Sequence, residues 1–227
     1  VSASAQTPGP SSRRSALVNA VAATAFLIGG SLFALGAALA QSGVDQTACA
    51  TIYLLGGVFF STGGFASVLQ VRGEPRLQRL SALVLFAGTL VFAINLVDSF
   101  IQELSPSAVD RLVWSPDMIG CALFLVSGQM AMAGIAGGFW RVWRRRDLGW
   151  WIIAVNQLGS VLFMVSAVAS FVRPSSGDAL STGIANWGTL TGALCFAIAG
   201  AMQEFEHPLG PRRNRTASNF RAAGQEI

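Results

Sequence analysis

The stretch Gln157–Ser166, QLGSVLFMVS, places a glycine at 159, a phenylalanine four residues later at 163 and a small residue, Ser166, three further on. The same spacing recurs as Gly29-Phe33-Gly36, Gly56-Phe60-Gly63, Gly88-Phe92-Asn95, Gly120-Phe124-Ser127 and Gly192-Phe196-Ala199. On an α-helix, positions i, i+4 and i+7 share one face, within about 40° of one another. Each copy lies in an apolar run near the roughly 20 residues needed to cross a bilayer. The runs cover about 15–41, 48–71, 79–102, 116–139, 149–172 and 180–203. They predict an all-α polytopic membrane protein with six transmembrane helices.

Composition agrees. Apolar residues make up 52% of the 227, charged residues 11%, and mean hydropathy is +0.55. A soluble domain carries about 25% charge, so these values exclude an ordinary water-soluble enzyme. The six runs leave no length for a separate soluble domain.

In lipid there is little hydrophobic drive between helices, and association depends on close packing at small residues. The stripe is therefore read as a packing seam, in which a phenylalanine between two small residues fills the notch of a neighbouring helix. Parity refines this. Helices 2, 4 and 6 carry another glycine eight residues after the first (Gly64, Gly128, Gly200), where helices 1, 3 and 5 have Ala37, Leu96 and Ala167. The repeating unit is thus a helical hairpin, used three times: 13–71, 79–139 and 148–203, between a disordered tail at 1–12 and a basic tail at 204–227.

All fifteen basic residues are arginine. Thirteen flank one end of the spans: Arg13, Arg14, Arg72, Arg76, Arg79, Arg141, Arg144, Arg145, Arg146, Arg212, Arg213, Arg215 and Arg221. Arg111 and Arg173 fall on the other. Short basic loops stay in the cytoplasm, which predicts both termini inside. The arginines set topology and attract anionic lipid head groups; they are not a nucleic-acid surface. Trp140, Trp143, Trp150 and Trp151 at one boundary, with Trp114 and Trp187 at the other, fit interfacial belts. The run SRRSAL at Ser12–Leu17 resembles a twin-arginine signal. The apolar stretch after it is longer than the usual 7–15 residues and carries the repeat, so helix 1 is expected to remain.

The segments IYLLGGVFFSTGGFASVLQ, LFAGTLVFAINLVDSF, WSPDMIGCALFLVSG, NQLGSVLFMVSAVASF and NWGTLTGALCFAIAG resemble the YrhK-like membrane proteins of actinobacteria. The resemblance covers roughly 52–200 through short apolar motifs, and a lysine-free basic composition fits a GC-rich genome. It implies helical hairpins in a bacterial inner membrane, and no catalytic residue.

Polar residues within the spans are costly and are functional candidates by default. Asp98 is placed one turn inside the end of helix 3, with Asn95, Ser99 and Gln102 beside it. Asp117 begins helix 4, Asn156, Ser166 and Ser170 lie on helix 5, and Asn186 and Thr189 on helix 6. Convergence of these faces would form an outward polar cleft among helices 3 to 6, with Arg111 or Arg173 as a partner for Asp98. The alternative is that they hydrogen-bond between helices. Cys49, Cys121 and Cys195 form no CxxC pair and the one histidine, His207, lies in the tail, so neither a metal nor a cofactor is expected. No catalytic set or nucleotide-binding fingerprint occurs. Two functions fit: an accessory component of a membrane assembly, in contact with lipid and other membrane proteins, or a small-solute or ion transporter using the cleft. An enzyme is not expected.

Overall fold

The structure, a computed structural model, describes residues 10–101, 103–136 and 147–206. Within them are six long helices: α1 (Pro10–Gln41), α2 (Gln46–Gln70), α3 (Arg76–Asp98), α4, α5 (Leu148–Ala169) and α6 (Thr182–Glu204). Helix α4 runs continuously through Pro106–Val109, a π-helical turn at Asp110–Trp114, and Ser115–Ala136. All six contain a segment long and apolar enough to cross a membrane. The protein is an all-α polytopic membrane protein. One isolated antiparallel bridge, Val172 to Ala179, is the only sheet-like pairing among the described residues.

Local chemistry fixes several helix ends. The Asp45, Ser105, Asp147 and Ser181 side chains each accept a hydrogen bond from a backbone N–H of the first turn, as good N-caps do. Gly43 and Gly177 turn the chain at φ of 77° and 74°, a region glycine enters without a Cβ clash.

Three bounds differ from the sequence reading by four residues or more. Helix α3 ends at Asp98, not near 102, because the chain turns through Ser99–Phe100 and Glu103 adopts φ 59°. Helix α4 starts at Pro106, ten residues before 116, because Ser105 caps it and proline suits the first turn. Helix α1 starts at Pro10, inside the segment expected to be irregular. Residues 1–9 and 207–227, including His207, lie outside the described residues, as do Gln102 and the arginines and tryptophans between 137 and 146.

The helices form a closed ring in the order α1-α2-α3-α4-α5-α6, with α6 returning to pack extensively on α1. Pairs α1/α2, α3/α4 and α5/α6 are antiparallel hairpins. Inside each, the pattern glycines and phenylalanines are reciprocal. A Cβ on Gly29 would lie 2.8 Å from the Phe60 ring, and one on Gly56 2.9 Å from the Phe33 ring. Gly88 likewise meets Phe124 and Gly120 meets Phe92; Gly159 meets Phe196 and Gly192 meets Phe163. Five of the six leave room for the facing ring itself, while at Gly120 the neighbours are the Cβ and backbone of Phe92.

The parity glycines join one hairpin to the next. Gly64 faces Phe86 and Thr89 of α3, Gly128 faces Gln157 of α5, and Gly200 lies 2.7 Å, from an ideal Cβ, to the backbone of Leu27 in α1. Leu27, Phe86 and Gln157 each stand two residues before the first pattern glycine of their helix. The ring therefore has an approximate threefold repeat. It is tightest at α6/α1, where Gly30 replaces the Thr89 and Ser160 of the other odd helices. A Cβ on Gly30 would sit 2.7 Å from Ala193 O and Ala197 N.

This difference predicts unequal costs for a single methyl. Gly30→Ala meets backbone that cannot rotate away and should destabilise by about 1–3 kcal/mol, the usual range for overpacking. Gly57→Ala meets only the tip of the Leu96 side chain and should cost much less. Equilibrium unfolding in mixed detergent checks the order; equal losses would contradict it.

Candidate functional site

The six pattern phenylalanines meet on the ring axis. Phe33, Phe92 and Phe163 of the odd helices form one triangle, with ring centroids 5.6, 6.2 and 6.3 Å apart. Phe60, Phe124 and Phe196 of the even helices form a second, at 5.1, 6.2 and 6.4 Å. The triangles are joined within each hairpin by Phe33–Phe60, Phe92–Phe124 and Phe163–Phe196 at 5.3, 5.8 and 5.3 Å. These spacings and the mostly tilted or edge-on geometries are those at which aromatic pairs attract. All six are buried, Phe33 and Phe124 to 1% exposure. The result is a trigonal prism of rings filling the middle of the bundle.

Polar groups lie on both sides of it. Towards the end bearing the loops 42–45, 99–105 and 170–181, the hairpins carry three equivalent pairs: Gly36 with Tyr53, Asn95 with Asp117, and Ser166 with Thr189. Tyr53 packs its ring on Gly36. Ser166 Oγ donates to Ala185 O at 2.6 Å and lies 2.7 Å from Thr189 Oγ1. Asp117 Oδ1 accepts from Cys121 Sγ at 3.7 Å. Asn95 is buried, and its Nδ2 has no partner among the described residues.

The other residues expected to share this cleft do not converge on it. Ser99 and Ser170 donate back to Leu96 O and Ala167 O of their own helices. Asn186 turns to the α1 side, where its Nδ2 donates to Gln41 Oε1 at 3.1 Å. Asp98, at the end of α3, is half-buried, and no ion pair engages it among the described residues. Arg173 instead donates to Leu180 O. The acid that does organise this end is Asp110: its Oδ1 accepts from Val172 N at 3.0 Å, while Trp114 Nε1 donates to Ala167 O at 2.7 Å. Both tie α4 to the α5/α6 hairpin.

On the side of the chain termini, Asn19 is a hub that sequence reading did not single out. Its Nδ2 donates to Gln203 O at 3.2 Å, and its Oδ1 accepts from Gln70 Nε2 and Gln203 Nε2 at 2.8 and 3.1 Å. One buried amide thus joins α1, α2 and α6. Ser81 and Ser127 clasp α3 to α4, each hydroxyl donating to the other's carbonyl at 2.9 Å. Gln157 Nε2 donates across the seam to Leu125 O. Asn19, Gln70, Ser81 and Gln203 were legible only as polar positions near span ends, and Ser127 only as the small residue of its stripe; their partners are far away in sequence.

Among the described residues, no three His, Cys, Asp or Glu side chains converge as a metal site would require, and the three cysteines are unpaired. Comparison with family models, with curated proteins and with solved structures finds no match for this chain.

Just beyond α6, burial pushes the Glu206 carboxyl above its ordinary value, and the nearby Asp147 carboxylate adds to the shift. The folded state then holds a proton at a pH where the unfolded chain has lost it. Stability from this group is fully present below the unfolded carboxylate value and is lost as pH rises through the folded one. Glu206→Gln removes that dependence. The melting temperature of the variant should fall less than that of wild type as pH rises above the ordinary carboxylate range; identical slopes would contradict the coupling.

Proposed function

We propose that this chain is an accessory or interaction component of a membrane assembly, resident in a bacterial inner membrane with both termini cytoplasmic, and related to the YrhK-like proteins it resembles. The prism of six rings carries this reading. It fills the axis with hydrocarbon at mid-bundle, where a transport route between the loop and terminal ends would run. The polar groups on either side are mostly used in joining helices, as in the Asn19 hub and the Ser81–Ser127 clasp. The outward faces carry exposed Leu, Val or Ile in every helix, and lateral contact is the chemistry they offer. Orientation follows the arginine distribution: Arg13, Arg14, Arg72, Arg76 and Arg79 are exposed at the terminal end.

A transporter is the second reading, favoured by the unpartnered Asn95 amide beside the level of Asp117. Carriers place their sites near the bilayer midplane, where this chain has the Phe33, Phe92 and Phe163 triangle.

Two measurements separate the readings. Reconstituted wild type should leave proton, potassium and small-metabolite permeability at the level of protein-free liposomes, while photo-crosslinkers at Val58, Ile119 and Ile198 should give a discrete protein adduct from one face only. Saturable uptake abolished by Asp117→Asn would overturn the accessory reading and establish transport. In a cysteine-free background, an impermeant thiol reagent should label a cysteine at Gln46 in intact cells and miss one at Arg76; the reverse would overturn the orientation.

A further inference from the structure

The three seams between hairpins are equivalent in the repeat but not equally filled. At α6/α1, Gly30 lets the Ala193–Ala197 backbone of α6 close directly onto α1. At α4/α5, Gln157 reaches across to Leu125 O. The α2/α3 seam opens instead as an apolar groove of about 430 Å³. Substitution explains the difference. Where α4 carries Cys121 and Leu125, α2 carries the smaller Gly57 and Ser61 at the same repeat positions. Gly57 and Leu96 form the buried floor, and Val58, Thr62 and Leu90 stand on the rim.

The groove runs along the bilayer-facing side of the protein, so its surroundings are acyl chains. Its terminal end is closed by the Phe65–Phe86 pair, with centroids 5.7 Å apart. From these rings, seven residues lead along α3 to Arg79 and, past the end of α2, to Arg72 in the turn, about 10 Å at the helical rise. Arg76, the first residue of α3, lies between them in sequence. All three arginines are exposed, and no hydrogen bond or ion pair engages their guanidinium groups among the described residues. Glu74 in the same turn offsets one of the three charges. The planar guanidinium matches phosphate oxygens with two parallel donors. An apolar channel ending below unengaged arginines is the complement of a molecule with a long hydrocarbon tail and an anionic head.

We propose that the α2/α3 groove binds one anionic phospholipid from the leaflet on the terminal side, its acyl chain on Gly57 and Leu96 and its phosphate held by Arg72, Arg76 and Arg79. The site is independent of the function proposed above, since it lies on the lateral surface and away from the ring axis. A second groove, between α5 and α6 near Trp187, opens toward the loop end, where Arg173 is already engaged with Leu180 O. It lacks the anionic-head half of the complement.

The test is native mass spectrometry of the full chain in mild detergent, titrated with phosphatidylglycerol or with phosphatidylcholine of the same acyl chains. A basic residue near the surface contributes about fivefold in anionic-lipid affinity, so the first phosphatidylglycerol should bind at least about tenfold tighter than phosphatidylcholine. The triple variant Arg72→Gln, Arg76→Gln, Arg79→Gln should bring the two lipids level. Ser61→Phe with Ala93→Phe fills the groove and should remove the tight phosphatidylglycerol at unchanged melting temperature. Equal binding of both lipids by wild type would overturn the proposal. So would retention of the preference in the filled variant, which would place the lipid on the arginine surface alone. Should the filled protein not fold, a fluorophore on a cysteine at Leu90, in a cysteine-free background, should be quenched by acyl-brominated phosphatidylglycerol. The arginine variant should reduce that quenching, and its absence in the unaltered arginine background would equally overturn the site.

Discussion

The fold depends on the reciprocal insertion of a phenylalanine ring over a glycine on the facing helix. In water, burying six such rings would itself drive folding; in a bilayer the surrounding lipid is as apolar as the rings, and the gain must come from fit. Glycine supplies that fit because its missing Cβ brings the facing backbone close. The ring that crosses it is then carried past the helix–helix seam to the axis. Three hairpins built this way present six rings to one another, so a single local spacing determines both the distance within each pair and the core shared by all three. At five of the six glycines a methyl group pushes on a ring, and through that ring on two neighbouring hairpins; at Gly120 it pushes on the backbone of Phe92.

Departures from the repeat are where individuality enters. The −2 positions Leu27, Phe86 and Gln157 meet the parity glycines, and each gives its seam a different character: backbone contact, an aromatic wall, or a hydrogen bond to Leu125 O. The pairs on the loop side of the prism change from Gly36–Tyr53 through Asn95–Asp117 to Ser166–Thr189 while keeping their places. A structural repeat of this kind holds the frame constant and leaves the seams and the ends free to vary. The lipid groove and the Asn19 hub are both products of such variation.

Much of the frame was legible because it is periodic. Six apolar runs of bilayer length and a spacing of four and three residues sufficed for the helices, the stripe and the hairpin unit. The neighbour met by each parity glycine was not legible, since Leu27 and Phe86 look like any apolar residues and only ring closure selects them. Asp98 reads as one turn inside the end of α3 because the apolar run continues to Ile101; hydropathy does not register that Ser99 and Phe100 already form a turn. Asn186 and Thr189 share a helix and a polar character, yet Asn186 bonds to α1 and Thr189 to α5, a distinction set by azimuth around α6. Asn19 and Gln203 are 184 residues apart, and no local pattern connects them.

The most direct test of the central claim is a double-mutant cycle on one reciprocal contact. Gly56 is suited to it, because the nearest atoms to an added Cβ are Phe33 Cδ2 and Cε2, at 2.9 and 3.1 Å. Unfolding free energies would be measured for wild type, Gly56→Ala, Phe33→Leu and the pair. If ring-over-glycine packing sets the helix spacing, the alanine should cost stability beside Phe33 and much less beside leucine, with a coupling of about 0.5–3 kcal/mol, the range for residues in contact. Strict additivity of the two changes would contradict the account.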